Sequence, residues 1–425
     1  MNRIVYLPIE IKARDFHNKL LLTYFLTFKG FQVFLGRKKE IEILAKNFFP
    51  GIYFGVNTHK IYIKFYNQIK AKKHKLFLFD EEGLVTLPKK SYASTKGSRE
   101  MINLSDFYFC WGHKQVNKIL CQKNITKKKL VLSGSLRIEL LKNKYNNLFK
   151  TNVDSLKKRY KKIILFISSY GNSNHYLSDK NGLKKTINSQ SLKKKDDIKN
   201  YKYYYNFNKD RFKKFLNYIK DLKNKKSTTI VIRPHPSENF KFYKKIANDK
   251  NLLISSEFSV IEWIKASKKI IHDYCTTSFE ASVLKKKIFH LPFKLENFKL
   301  EKDVYRLSNK IGLQVKHQNN KNKKNILKHH IHNYGNISSI DIICKVFDRL
   351  KMENEYTANF FTILRSKFFL EYYSLKKDSY ADLKTPFIKK NECDEFLKKI
   401  EKIEKKKNKI KITQFAKNIM LIKSN

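Results

Sequence analysis

The stretch IVYLPIEIKARDFHNKLLLTYFLTFKGFQVFLGR, residues 4–37, decides the class of fold. It begins with an apolar run, Ile4–Leu7, which is typical of a buried strand. Between Asp15 and Phe28 the apolar residues recur every three or four positions, as they do in an amphipathic helix. Gly30 stands where a helix C-cap is expected, and Phe31–Leu35 predicts a second strand. The stretch therefore predicts a βαβ unit.

The same alternation of short apolar runs and helical patterns continues along two halves of the chain. It predicts an α/β fold with two Rossmann-like doubly wound domains facing a cleft. We place an N-terminal domain at residues 1–150, a second at 151–336, and a helical, Lys-rich C-terminal extension at 337–425. The stretch 173–208 is polar and predicts a loop. The further strands are predicted at 76–79, 107–110, 130–132, 163–167, 228–232, 252–255, 269–272 and 287–291.

The composition excludes some classes of protein. Of the 425 residues, 41% are hydrophobic and 14% aromatic, enough to build sizeable cores and to exclude wholesale disorder. No run approaches the roughly 18–20 apolar residues that span a membrane. Charged residues come too early at the N-terminus for a signal peptide, so we expect a cytoplasmic protein. The five cysteines are scattered without a CxxC pair, which predicts neither a disulfide framework nor a zinc site.

The charge is strongly positive, with 91 Lys and Arg against 37 acids, a formal net charge of +54. Only eleven of these cations are Arg, and the lysines are spread along the chain. Because Arg is the preferred residue for bidentate phosphate and base recognition, we expect no specific nucleic-acid binding. Solvated lysine surfaces are the first interpretation. Attraction to an anionic inner membrane or glycolipid is the second.

Two clusters in the second half follow predicted strands, where open α/β sheets bind ligands. The first is Arg233-Pro234-His235-Pro236-Ser237-Glu238, in which two prolines restrict the backbone around a histidine that can donate to a phosphate oxygen. The second runs from His272 to Glu280, with Thr276, Thr277 and Ser278 opening a helix. Hydroxyls there are typical of an anion site and equally of plain helix capping.

Two clusters in the first half also follow strands. Asp80-Glu81-Glu82-Gly83 brings three carboxylates together at a turn. Their mutual repulsion would raise at least one pKa, as a general base near neutral pH requires, although an exposed acidic turn gives the same pattern. Gly36-Arg37 ends the second strand, and its glycine permits a ligand or another segment to approach closely. It is not a dinucleotide fingerprint.

Taken in order, several segments resemble the bacterial surface carbohydrate (surface polysaccharide) biosynthesis proteins, and the two halves resemble the GT-B glycosyltransferase architecture. The resemblance covers roughly residues 1–320. The matching segments are LPIEIKARDF (7–16), LGRK (35–38), FPGIYF (49–54), DEEGLV (80–85), WG (111–112), SGSLR (133–137), RPHPSE (233–238) and CTT (275–277).

A more distant similarity to capsule polysialyltransferases adds a mechanism. In that group an acidic-acidic-glycine motif supplies the base and a His-Pro motif binds the nucleotide phosphate. The similarity implies that Glu81 or Glu82 deprotonates an acceptor hydroxyl and that His235 stabilises the departing phosphate. It also implies metal independence, and the chain contains no Asp-x-Asp, the usual metal-holding motif of the other large glycosyltransferase architecture.

These features predict a metal-independent GT-B-type glycosyltransferase of surface polysaccharide or lipopolysaccharide assembly, with no cofactor. Its partners would be a nucleotide-sugar, first a CMP-linked one, and a glycan or glycolipid acceptor. Arg233, His235, His272, the three hydroxyl residues 276–278 and Glu280 would bind the donor; Asp80, Gly36 and Arg37 would lie on the acceptor side. The alternatives are a nucleotide-sugar 2-epimerase-like enzyme of the same fold and a non-catalytic basic nucleic-acid-binding or envelope scaffold protein.

Overall fold

A computed structural model of the chain describes residues 3–84, 92–93, 96–160, 162–171, 173–177, 181, 184, 195–223, 228–247, 251–273, 275–291, 326–350, 360–374, 382, 384–406 and 409–425. The chain divides into two compact units. Unit 1 comprises Met1–Leu148 and Lys324–Asn425, and unit 2 comprises Phe149–Lys323. Each unit has its own sheet with helices packed on it, which confirms the prediction of two Rossmann-like domains.

Unit 1 begins with the βαβ element that the opening stretch predicts. Its strands are short apolar runs buried on both faces, as expected for parallel strands covered by helices. The elements up to residue 148 are β1 (Arg3–Ile9), α1 (Lys12–Phe28), β2 (Phe31–Arg37), α2 (Lys38–Asn47), β3 (Ile52–Gly55), α3 (Ile63–Ala71), β4 (Lys75–Phe79), α4 (Arg99–Leu104), β5 (Phe107–Cys110), α5 (His113–Leu120), β6 (Leu130–Leu132) and α6 (Leu136–Glu139).

Unit 2 contains a five-stranded parallel sheet in the order β11-β10-β7-β8-β9. Helix α8 covers part of the stretch 173–208 that the sequence predicts as a polar loop, and Tyr205 within that stretch is buried. Further along the helix, Phe212 and Phe215 pack in the core of the unit. The elements are α7 (Lys150–Arg159), β7 (Ile163–Ile167), α8 (Lys195–Lys223), β8 (Thr229–Arg233), α9 (Phe240–Ile246), β9 (Leu252–Ile254), α10 (Val260–Ala266), β10 (Lys269–His272), α11 (Thr277–Val283) and β11 (Lys287–His290).

The C-terminal segment belongs to unit 1 and ends in strands, which differs from the separate helical extension that the sequence predicts. Its last strand pairs antiparallel with β2, with Ile422 opposite Val33. Phe415 of the preceding strand contacts Phe34 edge-on, with ring centroids 5.0 Å apart. The elements are α12 (Ser339–Asp348), α13 (Phe360–Ser374), α14 (Lys390–Glu404), β12 (Ile410–Ala416) and β13 (Ile419–Ser424). None of the helices that the structure describes is long and apolar enough to cross a membrane.

The complete sheet of unit 1 has the order β12-β13-β2-β1-β3-β4-β5-β6, and its strands from β2 to β6 are parallel. The order reverses between β1 and β3 in unit 1, and between β7 and β10 in unit 2. Loops beyond the carboxyl ends of strands at such switch points form ligand crevices in doubly wound folds. All the candidate residues lie at or beyond the carboxyl ends of strands in their own unit.

Candidate active site

The acidic cluster of unit 1 is a tight turn after β4. The carbonyl oxygen of Asp80 accepts hydrogen bonds from Gly83 N (3.0 Å) and from Trp111 Nε1 (2.6 Å). The Asp80 carboxylate also accepts one from Glu82 N (3.0 Å). A Cβ at Gly83 would lie 2.3 Å from Trp111 Cδ1, so the turn requires glycine there. The hydrogen bonds that Asp80 accepts therefore stabilise the turn.

The three carboxylates of this turn lie in different environments. Asp80 and Glu81 are buried, whereas the Glu82 side chain is 53% exposed. Burial raises the pKa of Asp80, against the opposing charge of Lys96. Burial likewise raises the pKa of Glu81, against Lys19. Repulsion among the acids was the expected cause of a raised pKa, but loss of hydration on burial is the larger cause for both Asp80 and Glu81.

Glu81 and Glu82 are held by different cations. Lys19 Nζ lies 2.7 Å from Glu81 Oε1, and both side chains are fully buried. Glu82 lies between Lys96 Nζ at 2.9 Å and an Arg14 nitrogen at 3.6 Å. Arg14 also pairs with the buried Asp15, whose pKa burial would raise but which the Arg14 charge holds below its ordinary value. Glu82 is thus the carboxylate of the turn that solvent reaches.

Gly36 and Arg37 contact the C-terminal segment of unit 1. A Cβ at Gly36 would lie 2.4 Å from the carbonyl oxygen of Asn418, so the glycine allows β13 to approach β2. The Arg37 guanidinium lies 2.8 Å from Asp382 and donates to the carbonyl oxygen of Thr385 (2.9 Å). Both residues have a structural explanation within the unit.

In unit 2, His235 is exposed on the loop after β8 and its ring is oriented by Ser237. Ser237 N donates to His235 Nδ1 (3.2 Å), and Ser237 Oγ lies 2.7 Å from the same nitrogen. Because Nδ1 accepts the amide hydrogen, the neutral ring carries its proton on Nε2. That tautomer is suited to donate a hydrogen bond to a phosphate oxygen.

Glu238 organises this loop; it belongs to the cluster noted in the sequence, but no role was predicted for it. Its buried carboxylate accepts hydrogen bonds from His235 N (3.1 Å) and Tyr170 N (2.9 Å), and from the hydroxyls of Ser168 and Tyr243. It therefore ties the loops after β7 and β8 together. Burial raises its pKa in spite of these bonds. Its position directly after His235-Pro236-Ser237 was the sequence feature that could have indicated this role.

Arg233 supports the neighbouring loop. Its guanidinium donates to the carbonyl oxygens of Glu257 (2.9 Å) and Phe258 (2.7 Å), just after β9. Burial lowers the pKa of Arg233 to about 10. Phe258 has a positive φ of 57°, and the bond to its carbonyl oxygen helps to hold that conformation. The predicted donor-binding arginine is thus directed at the protein backbone.

The loops after β7 and β10, at the switch point, are joined by Asp273. Tyr170 OH donates to its Oδ2 (2.6 Å), and Ser169 Oγ donates to its carbonyl oxygen (2.6 Å). Arg211 of α8 forms a buried ion pair with the same carboxylate at 2.7 Å. His272 is buried beside His290, ring centroids 5.2 Å apart, and burial lowers its pKa to about 3.

The hydroxyl cluster after β10 is mostly turned inward. Thr276 is half-buried, whereas Thr277, Ser278 and Glu280 are buried. Thr276 precedes α11 in a helical conformation, and its side chain makes no capping hydrogen bond. The Thr276 side chain therefore does not act as the N-cap of α11 that the sequence pattern allowed. Thr276 is the hydroxyl of this group that solvent reaches.

No role was predicted from the sequence for the residues that surround Glu81, Glu238 and Asp273, because most of them are not distinguished by their local pattern. Asp15 and Lys19 are a partial exception, since they interrupt the apolar side of α1 four positions apart. Tyr170, Arg211 and Glu238 come from three separate segments and meet only through the sheet. Among the described residues, no group of three or more His, Cys, Asp or Glu could hold a metal ion.

No family model matches the sequence, and no curated protein matches it significantly. Among solved structures, the chain is similar to UDP-GlcNAc 2-epimerase from Neisseria meningitidis, with 13% identity and a TM-score of 0.48, over 82% of this chain and 100% of that chain. It is also similar to the Methanocaldococcus jannaschii UDP-GlcNAc 2-epimerase, with 12% identity and a TM-score of 0.48, over 82% of this chain and 99% of that chain. A third similar structure is a variant of the wall teichoic acid polymerase TagF, with 11% identity and a TM-score of 0.47, over 82% of this chain and 88% of that chain.

Proposed function

We propose that the protein is a metal-independent glycosyltransferase that uses a nucleotide-sugar donor. The observation that carries the proposal is His235, exposed beyond β8, with its tautomer set by Ser237 and its backbone anchored by Glu238. A histidine prepared in this way to donate from Nε2 is suited to a phosphate that gains charge as the sugar leaves.

Unit 2 would bind the donor. The half-buried Thr276 hydroxyl would be a second donor to phosphate; it lies beyond β10, which is separated from β8 by β7 in the same parallel sheet. Arg233, Ser278 and Glu280 are buried, and Arg233 is bound to backbone carbonyls, so we assign them to the support of the loops. The donor is first expected to be CMP-linked, on the polysialyltransferase similarity.

Unit 1 would supply the base. We assign this role to Glu82, because it is half-exposed whereas Glu81 is buried against Lys19. In the proposed step the acceptor hydroxyl gives its proton to Glu82 and its oxygen bonds to the anomeric carbon. The bond from that carbon to the phosphate oxygen breaks, and the phosphate keeps the electron pair. His235 donates a hydrogen bond to the departing phosphate, and Glu81 positions the turn.

The acceptor would be a surface polysaccharide or lipopolysaccharide intermediate on the cytoplasmic side of the membrane. The high positive charge suits an anionic glycolipid. A transferase requires this acceptor, whereas a 2-epimerase converts the nucleotide-sugar alone and a scaffold protein converts nothing.

The test combines binding and turnover. Thermal shifts with CMP, CDP, UDP, GDP and dTDP identify the nucleotide, since a ligand at 100 times its Kd stabilises by about 2.7 kcal/mol. We expect one nucleotide to shift the wild type and Glu82→Gln equally and His235→Ala less. With the donor and a membrane extract, we expect transfer that persists in EDTA and falls at least a hundredfold in Glu82→Gln.

Three results would contradict the proposal in different ways. Conversion of the donor without any acceptor would favour the epimerase alternative. No shift with any nucleotide, together with DNA binding that weakens steeply with salt, would favour the basic scaffold. Wild-type turnover in Glu82→Gln, with loss in Glu81→Gln, would move the base to Glu81.

A further inference from the structure

Helix α13 presents large apolar side chains to solvent. Leu364 is 52% exposed, Phe368 is 70% exposed and Tyr372 is 55% exposed. They are spaced four residues apart, so they form one stripe along the helix, which we call the α13 stripe. A soluble surface helix normally turns polar residues outward, so three successive positions of this kind indicate a surface that binds something apolar.

The other side of α13 is already packed. Leu370 and Ser366 are buried, and the helix contacts α2 and β12 of unit 1. The helix therefore has an apolar residue set facing the protein and a second set facing away. Its inward side accounts for its position on the sheet, and the α13 stripe is not needed for that packing.

The surroundings of the stripe are basic. Arg365 and Lys367 are exposed on α13, and Lys411 and Lys417 are exposed on β12 and on the turn after it. None of these four forms a salt bridge within the described part of the chain. Glu371 is the one acid in the described sequence of α13. Arg365 and Lys367 lie on the helix of the stripe, and Lys411 and Lys417 lie on or beside the strand that packs against it. Large apolar side chains with Lys and Arg on the same helix are found where helices lie in the surface of an anionic bilayer.

We propose that the α13 stripe docks unit 1 on an anionic lipid bilayer. The three side chains would enter the boundary between headgroups and acyl chains, with the Tyr372 hydroxyl at the polar level. Arg365 and Lys367, on the same helix, would lie among the anionic headgroups. A second copy of the chain is a poorer occupant, since each copy carries a formal net charge of +54 and its own cations around the stripe.

The experiment measures binding of the full-length protein to vesicles, without a donor, so it does not depend on the proposed transferase activity. Vesicles of phosphatidylcholine with 30% phosphatidylglycerol are compared by flotation with vesicles of phosphatidylcholine alone. The variants are Phe368→Ser and Tyr372→Ser. The matched control is Tyr203→Ser in α8 of unit 2, because Tyr203 is 52% exposed and undergoes the same substitution as Tyr372.

We expect binding to the anionic vesicles only, weakened about tenfold in Phe368→Ser and less in Tyr372→Ser, with no change in Tyr203→Ser. High salt should weaken the wild type and leave a residual difference between it and Phe368→Ser, since the apolar contribution is not screened. Circular dichroism should show the variants folded, because the replaced side chains face solvent.

Equal binding by wild type and Phe368→Ser would overturn the proposal, since diffuse lysine charge would then explain the attraction. Absence of binding by the wild type to either kind of vesicle would also overturn it. So would a concentration-dependent dimer in sedimentation velocity that Phe368→Ser abolishes without vesicle binding, which would make a second copy the occupant.

Discussion

Replacing Glu238 by alanine would remove the common acceptor of two loops in unit 2. The carboxylate is buried and accepts from two backbone amides, Tyr170 N and His235 N, and from two hydroxyls. The hydroxyls of Ser168 and Tyr243 lie 2.8 Å apart and can bond to each other after the substitution. The amides cannot reorient, so both would lose their acceptor.

The loss can be estimated from these four groups. A buried donor without an acceptor costs about 1–3 kcal/mol. The Tyr170 amide is buried and the His235 amide only partly buried, so together they should cost about 3 kcal/mol. Glutamine keeps one oxygen for the amides, and its NH₂ group can donate to the hydroxyls, so Glu238→Gln should cost only about 1 kcal/mol. The alanine variant should also lose the nucleotide-induced thermal shift, because the His235 loop loses its anchor.

The two tryptophans allow unit 2 to be followed separately. Trp111 is buried in unit 1 and Trp263 in unit 2. In a Trp111→Phe background, the fluorescence of Trp263 during urea unfolding reports unit 2. The matched control is Glu257→Ala in the same unit, whose side chain is 54% exposed and pairs loosely with Arg159 at 3.6 Å. It should change the free energy of unfolding by less than about 0.5 kcal/mol.

The pH dependence tests the same carboxylate. Burial raises the pKa of Glu238 in the folded state, so its protonated form is favoured by folding. Its stabilising contribution is therefore complete below its ordinary pKa of about 4.3 and is lost as the pH rises through the folded-state value. The advantage of wild type over Glu238→Gln should shrink as the pH rises towards neutrality. A Glu238→Ala variant within about 1 kcal/mol of wild type, with its nucleotide shift intact, would refute this account.

Three further predictions concern other positions. Lys19→Met leaves Glu81 buried without its cation and should destabilise unit 1 by about 3–5 kcal/mol, measured by Trp111 fluorescence during unfolding. The additional change Glu81→Gln should recover part of this loss. An unchanged free energy of unfolding in Lys19→Met would contradict the importance of the pair. Gly36→Ala places a Cβ 2.4 Å from the Asn418 carbonyl oxygen, so amide exchange in β13 should accelerate relative to β4, and unchanged protection would contradict the contact. Burial lowers the pKa of His272 from 6.5 to about 3, so unit 2 should become less stable as the pH falls through that interval. His272→Leu should flatten this dependence of the free energy of unfolding on pH. An unchanged dependence in the variant would show that other groups cause it.

Strands that are continuous apolar runs could be predicted from the sequence closely. The predicted bounds of β5, β6, β7 and β10 agree with the structure. For β5, β7 and β10 the reason is that largely buried parallel strands need an unbroken apolar stretch, whereas β6 is a half-buried edge strand of three apolar residues. β3, Ile52–Gly55, was missed, since its four residues follow Pro50-Gly51 and resemble part of a turn. The β12–β13 hairpin was missed because its alternating pattern lies within a lysine-rich segment that was interpreted as helical.

The motifs located the edges of the sheets that carry the candidate residues, but they could not assign each side chain. Glu81 and Glu82 are adjacent and chemically alike in the sequence. Lys19, which is distant in the chain, accompanies Glu81 in the interior and leaves Glu82 at the surface. Arg233 likewise depends on a partner that no local pattern reveals, the pair of carbonyls after β9. Such pairings arise from tertiary contacts between separate segments.

The pairing of β13 with β2 has a consequence for the order in which the chain acquires its structure during synthesis. Unit 2 is one continuous segment, so its strands are all available once residue 290 has left the ribosome. Unit 1 is translated first, yet β2 keeps an open edge until residues 419–424 emerge. The later-made unit can therefore finish folding before the earlier one. The nascent chain would expose an unpaired strand edge throughout that interval, and this edge is where we expect co-translational chaperones to act.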